Sequence, residues 1–195
     1  MKIWCATGNA GKLREFRLAG EVLGIEIEPL AGLKSLVAPE ETGATFDDNA
    51  KLKAEYYSRF ARGLLFADDS GLEVDALGGE PGVFSARYAG KHATDEANNQ
   101  LLLSRLGEVV QRSARFVCAI AVAEAGQAVR TFRGKVEGEI LREARGPGGF
   151  GYDPLFYYPP FNCSFGEVEG ERKFAVSHRG NALRAMLAWL STREK

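Results

Sequence analysis

Three short apolar runs lie within the first 67 residues: Ile3-Trp4-Cys5-Ala6, Ile25-Glu26-Ile27 with Leu30, and Leu64-Leu65-Phe66-Ala67. Two stretches of helical spacing separate them. The first carries Leu13, Phe16, Leu18, Val22 and Leu23; the second covers 44–61 and ends near Gly63. Short apolar runs suit buried strands, and spacing of three to four residues suits a helix with one apolar face. The β-α-β-α-β rhythm predicts an α/β fold whose sheet is at least partly parallel, since a crossover helix lets the next strand run in the same direction.

The second half reads differently. Residues 115–123 and 128–141 alternate or run apolar about Gly126, which predicts a hairpin and an antiparallel section. Between the halves, Gly78-Gly79-Glu80-Pro81-Gly82 is a turn by composition, and 95–106 is a helix with Thr94 as its cap. A loop rich in Gly, Pro and aromatics follows at 146–161, and a last helix spans about 181–190.

A chain of 195 residues fits one domain, or one domain of two lobes, over 1–195. Its net charge of −1 provides no broad basic face, so no nucleic-acid partner is expected. Cys5, Cys118 and Cys163 are odd in number and lack metal spacing, which favours buried thiols in a reducing compartment. With no apolar run long enough for a bilayer and no signal-peptide pattern at Met1-Lys2, the expectation is a cytoplasmic protein without membrane contact.

The turn between the first strand and first helix is Thr7-Gly8-Asn9-Ala10-Gly11-Lys12. Backbone N–H groups at a helix start can face an anion, and a lysine just inside the helix can meet its charge. A Walker A loop would need four residues between its glycines and Ser or Thr after its lysine. Here only Asn9 and Ala10 intervene, and Leu13 follows Lys12. The turn is thus either a plain structural turn or a phosphate binder whose metal is held elsewhere.

With two His in the chain, a hard cation would rest on oxygen ligands. Glu40-Glu41 precedes Thr42-Gly43 in a polar loop, and Asp68-Asp69 follows the third strand before Ser70-Gly71. Exposure explains the first pair well enough. Carboxylates at the end of a buried strand are costly unless a cation or donors neutralise them. Mg²⁺, bridging one or two carboxylates to phosphate oxygens, would do so, and Asp69 is the candidate to orient and deprotonate water. The helix at 44–61 places Asn49 and Lys53 on one face beside Asp48, which is equally the polar side of an amphipathic helix.

Gly148-Gly149-Phe150-Gly151-Tyr152-Asp153-Pro154 sets two aromatics and a carboxylate among flexible turns. An aromatic face can stack on a nucleobase and a carboxylate can accept from ring N–H groups, although a packed aromatic turn is the plainer reading. Ser177-His178-Arg179-Gly180 stands just before the last helix, with Lys173 upstream. It offers donors for a keto oxygen, or is a polar helix start.

In order, Thr7 to Lys12, Glu40-Glu41-Thr42-Gly43 with Phe46 and Asn49-Ala50, Ala67-Asp68-Asp69-Ser70-Gly71-Leu72, Leu77-Gly78-Gly79, Pro81-Gly82, Ser85-Ala86-Arg87-Tyr88, the 148–154 loop and Ser177-His178-Arg179-Gly180 resemble the inosine triphosphate pyrophosphatase (Ham1-like) family, in particular its bacterial dITP/XTP-hydrolysing members. The resemblance covers nearly the whole chain. It implies an elongated mixed β-sheet flanked by helices, two lobes with an active-site cleft between them, and a homodimer. It further implies Mg²⁺-dependent hydrolysis of ITP, dITP and XTP to the monophosphate and pyrophosphate.

By position, the resemblance gives phosphate contacts to Thr7, Gly8, Asn9, Ala10, Gly11, Lys12 and Lys53. It gives magnesium to Glu40 and Asp69, with Asp69 also the proton acceptor for water. Nucleotide and base contacts fall to Ser70, Phe150, Gly151, Tyr152, Asp153, Lys173, His178 and Arg179. Where many relatives have Glu before Asn49, this chain has Asp48, one methylene shorter. Residues 162–172 match no motif. The competing enzyme reading is a Maf-type nucleotide pyrophosphatase acting on other modified or standard triphosphates; the competing non-enzyme reading is a nucleotide-binding module.

Overall fold

A computed structural model describes residues 1–21 and 23–193. Strands β1 (Lys2–Cys5), β2 (Glu26–Pro29), β3 (Leu65–Val74), β4 (Ser113–Glu124), β5 (Gln127–Ile140), β6 (Phe156–Tyr158) and β7 (Cys163–Ser164) form a sheet in the order β2-β1-β3-β4-β5-β6-β7. Helices are α1 (Ala10–Glu21), α2 (Phe46–Ser58), α3 (Asp95–Leu106), α4 (Gly170–Val176) and α5 (His178–Arg193). The sheet is mixed: β1 pairs in parallel with β2 and β3, while β6 pairs antiparallel with β5 and β7. The predicted α/β fold with a mixed sheet and flanking helices is the one observed.

The chain divides into two compact units, 1–69 with 118–134 and 179–195, and 70–117 with 135–178; the divisions fall within β3, β4 and β5 and after the first residue of α5. In the first unit, Leu30, Tyr57 and Leu65 pack with Trp4, Leu33 and Leu36, and α5 buries Ala182, Leu183, Met186, Leu187 and Leu190. The second unit packs Leu72, Val74, Leu102, Phe116, Ile140, Phe156 and Phe165 as one apolar cluster.

Several expectations need correction. Phe16 is buried in α1, but Leu18 and Leu23 are about half exposed. A step of two residues turns about 200° around a helix, so Leu18 cannot share a face with Phe16; Gly20 is buried there instead. Val22, counted on the same face, lies outside the described residues. Helix α2 begins at Phe46, later than residue 44, because the Thr45 side chain caps it by accepting from the Asp48 N–H.

The third strand runs ten residues, through Asp68 and Asp69, and does not stop at Ala67. The 146–161 loop ends earlier than expected, in β6, whose three residues are too short to show a period; Ile140 and Phe156 are register partners. His178 and Arg179 form the first residues of α5 and do not precede it. Residues 162–172, silent in sequence, contain β7 and the start of α4. The thiols are free, with Cys5 and Cys118 buried and Cys163 half-buried.

Candidate active site

Strand β1 ends at Cys5, level with Phe66 of β3. Past that level, β3 continues without its parallel neighbour, and the next outward residues are Asp68 and Asp69. Their carboxylates therefore lie just beyond the carboxyl end of β1, where open α/β sheets bind ligands. The chain leaves β1 through Thr7, Gly8 and Asn9 into α1. Asn9 Oδ1 accepts from the Lys12 N–H at 3.0 Å, and Thr7 Oγ1 accepts from the Asn9 N–H at 3.2 Å. Asn9 is thus the N-cap of α1, while Gly8, Asn9 and Ala10 remain exposed on the outer side of the turn.

Lys12 Nζ pairs with Asp68 Oδ2 at 2.6 Å. Burial pushes the Asp68 carboxyl up, but Lys12, Arg179 and Lys53 outweigh it and hold the group below the usual carboxylate range. Arg179 is buried and donates from Nη1 to Glu15 Oε2 at 3.1 Å. Burial lowers the proton affinity of its guanidinium, and the charges of Asp68 and Glu15 more than restore it. Lys12 and Glu15 are three residues apart on α1, so one helix face carries both the lysine for Asp68 and the acceptor for Arg179.

Asp69 has different neighbours. Lys53 Nζ donates to Asp69 Oδ1 at 2.9 Å and to Glu41 Oε1 at 2.8 Å, and Asn49 Nδ2 donates to Asp69 Oδ2 at 3.3 Å. Asn49 is fully buried and also accepts from the Gly43 N–H at 2.8 Å. A Cβ on Gly43 would lie 2.6 Å from Asn49 Oδ1, so this approach requires glycine. Burial raises the Asp69 carboxyl; Lys53 and Asn49 offset only part of this, and Glu41 adds to it, leaving Asp69 above the usual range. Two adjacent carboxylates are therefore driven in opposite directions, the arrangement that separates a permanent anion from a proton acceptor.

The face of α2 carrying Asn49 and Lys53, equally readable as a solvated stripe, is turned onto Asp69. Of the acidic loop, the structure brings Glu41 to Lys53 and leaves Glu40 exposed beside it. Asp48 accepts from the Thr45 hydroxyl at 2.7 Å, a helix-capping contact. Among the described residues no three acidic, His or Cys side chains form a ready-made cage. Mg²⁺ needs none: it takes one or two carboxylates and completes its shell with water and phosphate oxygens. Glu41 and Asp69 converging on a single cation form an oxygen-only donor set that fits it.

In the second unit, the 148–154 loop is fixed from within. Asp153 Oδ2 accepts from the Phe150 N–H at 2.9 Å and pairs with the buried Lys173 ammonium at 2.5 Å. Lys173 Nζ lies 4.9 Å from the Phe150 ring centroid. Phe150 remains 40% exposed. Tyr152 is buried and donates its hydroxyl to the Ser85 carbonyl at 2.8 Å, and burial pushes its phenol up. Gly151 donates to Asp95 Oδ2 at 2.6 Å and accepts from Asn99 Nδ2 at 3.0 Å. His178 stacks on Phe116 with centroids 4.9 Å apart. Ser70 is half-buried in β3, next to Asp69.

Glu15, Asp95 and Asn99 were not singled out from sequence, and Ser85 stood only within the Ser85-Ala86-Arg87-Tyr88 motif, with no role assigned. Asp95 and Asn99 are four apart on α3 and so share a face, but nothing in their spacing identifies the loop they meet.

The chain matches the Ham1 family over residues 3–189. It is 50% identical to a dITP/XTP pyrophosphatase of Acidobacterium capsulatum, over 97% of this chain and 98% of that protein. Among solved structures, the Staphylococcus aureus Ham1 protein superposes with a TM-score of 0.89 at 40% identity, covering 99% of this chain and 100% of its own. A HAM1 protein from Coxiella burnetii does so with 0.90 at 41%, covering 98% and 99%. Identity at this level along essentially the full length, with the same fold, establishes that the chain belongs to the Ham1 family.

Proposed function

We propose that this chain hydrolyses ITP, dITP and XTP to the nucleoside monophosphate and pyrophosphate, removing nonstandard purines from the nucleotide pool. The observation that carries the proposal is Asp69, a carboxylate of raised proton affinity held by Lys53 and Asn49, in a chain whose relatives are named dITP/XTP pyrophosphatase. The family match favours this reading over a Maf-type enzyme.

Thr7 to Lys12 receive the phosphates at the start of α1, with the Lys12 ammonium and exposed N–H groups as donors. Lys53 holds Asp69 on one oxygen and contributes positive charge toward the phosphates. Asp69 accepts the proton from the attacking water, a role suited to a carboxylate of raised proton affinity. Asp69 and the Glu40-Glu41 pair would hold Mg²⁺, which supplies neutralisation of the phosphate oxygens when bound. Ser70, Phe150 to Asp153, Lys173, His178 and Arg179 serve the nucleoside end.

Selectivity follows from hydrogen-bond polarity. Hypoxanthine and xanthine present a 6-keto acceptor where adenine presents an amino donor, so donors at the start of α5 favour the keto bases and leave adenine mispaired. The working form is a homodimer of the cytoplasm. The family resemblance supports the dimer; three free cysteines support a reducing compartment. Among the described residues no helix is long and apolar enough to cross a membrane.

The test is a panel of ITP, dITP, XTP, GTP, ATP and dTTP, read separately as pyrophosphate and orthophosphate, with Mg²⁺ and with chelator. Pyrophosphate from the first three, lost with chelator, is expected. Orthophosphate as the product, or preference for dTTP, would overturn the proposal.

A further inference from the structure

Helix α3 holds the aromatic loop at both peptide groups that flank the Gly151 Cα. Asp95 Oδ2 accepts the Gly151 N–H at 2.6 Å and Asn99 Nδ2 donates to the Gly151 carbonyl at 3.0 Å. Gly151 has φ +62, a conformation natural to glycine, so its peptide groups project where a side-chain-bearing residue would be strained. The neighbours are held as well: Phe150 N–H by Asp153, Tyr152 hydroxyl by the Ser85 carbonyl. The Phe150 ring, still 40% exposed, is thus an exposed face on a fixed backbone.

Asn99 bears a cost for this placement. Its Oδ1 is buried with no hydrogen-bond partner among the described residues, and an unsatisfied buried acceptor is destabilising. Stability alone would be served as well by an apolar side chain in α3. An amide at this position makes sense when its donor has work at Gly151.

We propose that Asp95 and Asn99 are positioning residues that fix the Gly151 peptide and thereby the Phe150 platform against which the purine stacks. The proposal rests on the reading of the 148–154 loop as the base-binding segment. Neither residue is among those assigned to the reacting phosphates. Losing the clamp therefore weakens nucleotide binding and leaves the chemical step largely intact.

The experiment measures pyrophosphate release from ITP and XTP by the full chain and by Asn99→Asp, Asp95→Ala, Asp95→Asn and Gln100→Ala, alongside amide hydrogen exchange. Asn99→Asp sets a carboxylate against the Gly151 carbonyl, and Asp95→Ala removes the acceptor. Each should raise KM about tenfold with kcat within about twofold, and should speed exchange at the Gly151 amide. Asp95→Asn keeps an acceptor oxygen and should stay near wild type. Gln100→Ala removes only the exposed contact to Glu96 and should change nothing.

Wild-type KM in both Asn99→Asp and Asp95→Ala, or an equal rise in Gln100→Ala, would overturn the clamp. Should Asn99→Asp fail to fold, the Asp95→Ala and Asp95→Asn contrast decides the matter on the same criteria. If the wild-type chain releases no pyrophosphate from either nucleotide, the substrate reading fails, and exchange at Gly151 still judges the clamp.

Discussion

Lys53 and Asp69 meet at 2.9 Å between α2 and β3. The same ammonium reaches Glu41 at 2.8 Å, so one cation balances two carboxylates. Burial, followed by the charges of Asp69, Asp68 and Glu41, sets the Lys53 ammonium; the carboxylates prevail and raise its proton affinity, so it stays charged.

Asp69→Asn should lower kcat by at least about a thousandfold while nucleotide still binds, because the amide keeps the shape and loses the proton acceptor. Pyrophosphate release and titration calorimetry with ITP measure the two quantities. Near-normal turnover would remove Asp69 from its assigned role.

Lys53→Met should lower kcat/KM about a hundredfold at neutral pH and shift its acid limb. Asp69 works as a base only when ionised, so activity falls as pH drops through its raised pKa. Without Lys53 the carboxyl rises further, and the limb moves to higher pH. A limb that stays in place or moves down contradicts the electrostatic account.

Asp68→Asn should destabilise the fold by about 3 kcal/mol at pH 7, toward the low end for a broken buried pair because Lys12 is 20% exposed and can reach water. Asp68 is held below the usual carboxylate range. Its stabilisation is therefore complete above the unfolded carboxylate pKa and lost as pH falls through the lower folded value. Thermal unfolding of both proteins from neutral to acid pH should show their difference shrinking only at the acid end.

Phe150→Ala should raise KM about tenfold for ITP and XTP, the loss of one base-stacking surface, with little change in melting temperature given the ring's exposure. An unchanged KM would assign the ring to packing.

Gly149→Ala should destabilise the second unit by about 1–3 kcal/mol. Gly149 has φ +78, and a Cβ there would lie 2.4 Å from Asp153 Oδ2. The carboxylate must move, which breaks its contacts with Phe150 and Lys173. Chemical denaturation, read with KM for ITP, checks both consequences.

Periodicity and local composition were enough to place β1, α1, α2, α3 and the β4–β5 hairpin, since each rests on a repeating apolar pattern or a local cap such as Thr94 accepting from the Ala97 N–H. The short β6 and β7 left no such signal, because two or three residues make no period and their strand state comes from pairing, β6 with β5 and β7 with β6. Asp69 was legible as a candidate from its position after an apolar run. The neighbours that separate its proton affinity from that of Asp68 were not.

What the sequence by itself determined is the α/β alternation, the glycine turn at Thr7 to Lys12, and the set of residue types available for phosphate and cation chemistry. These depend on neighbours along the chain. Only the tertiary structure decided that Glu41 reaches Lys53, that Asn49 faces Asp69, that Arg179 pairs with Glu15, and that Asp95 and Asn99 hold Gly151. Ion pairs and hydrogen bonds between distant segments depend on distances that folding alone creates, and a charge's effect on its neighbour is set by that distance and by the water that burial removes.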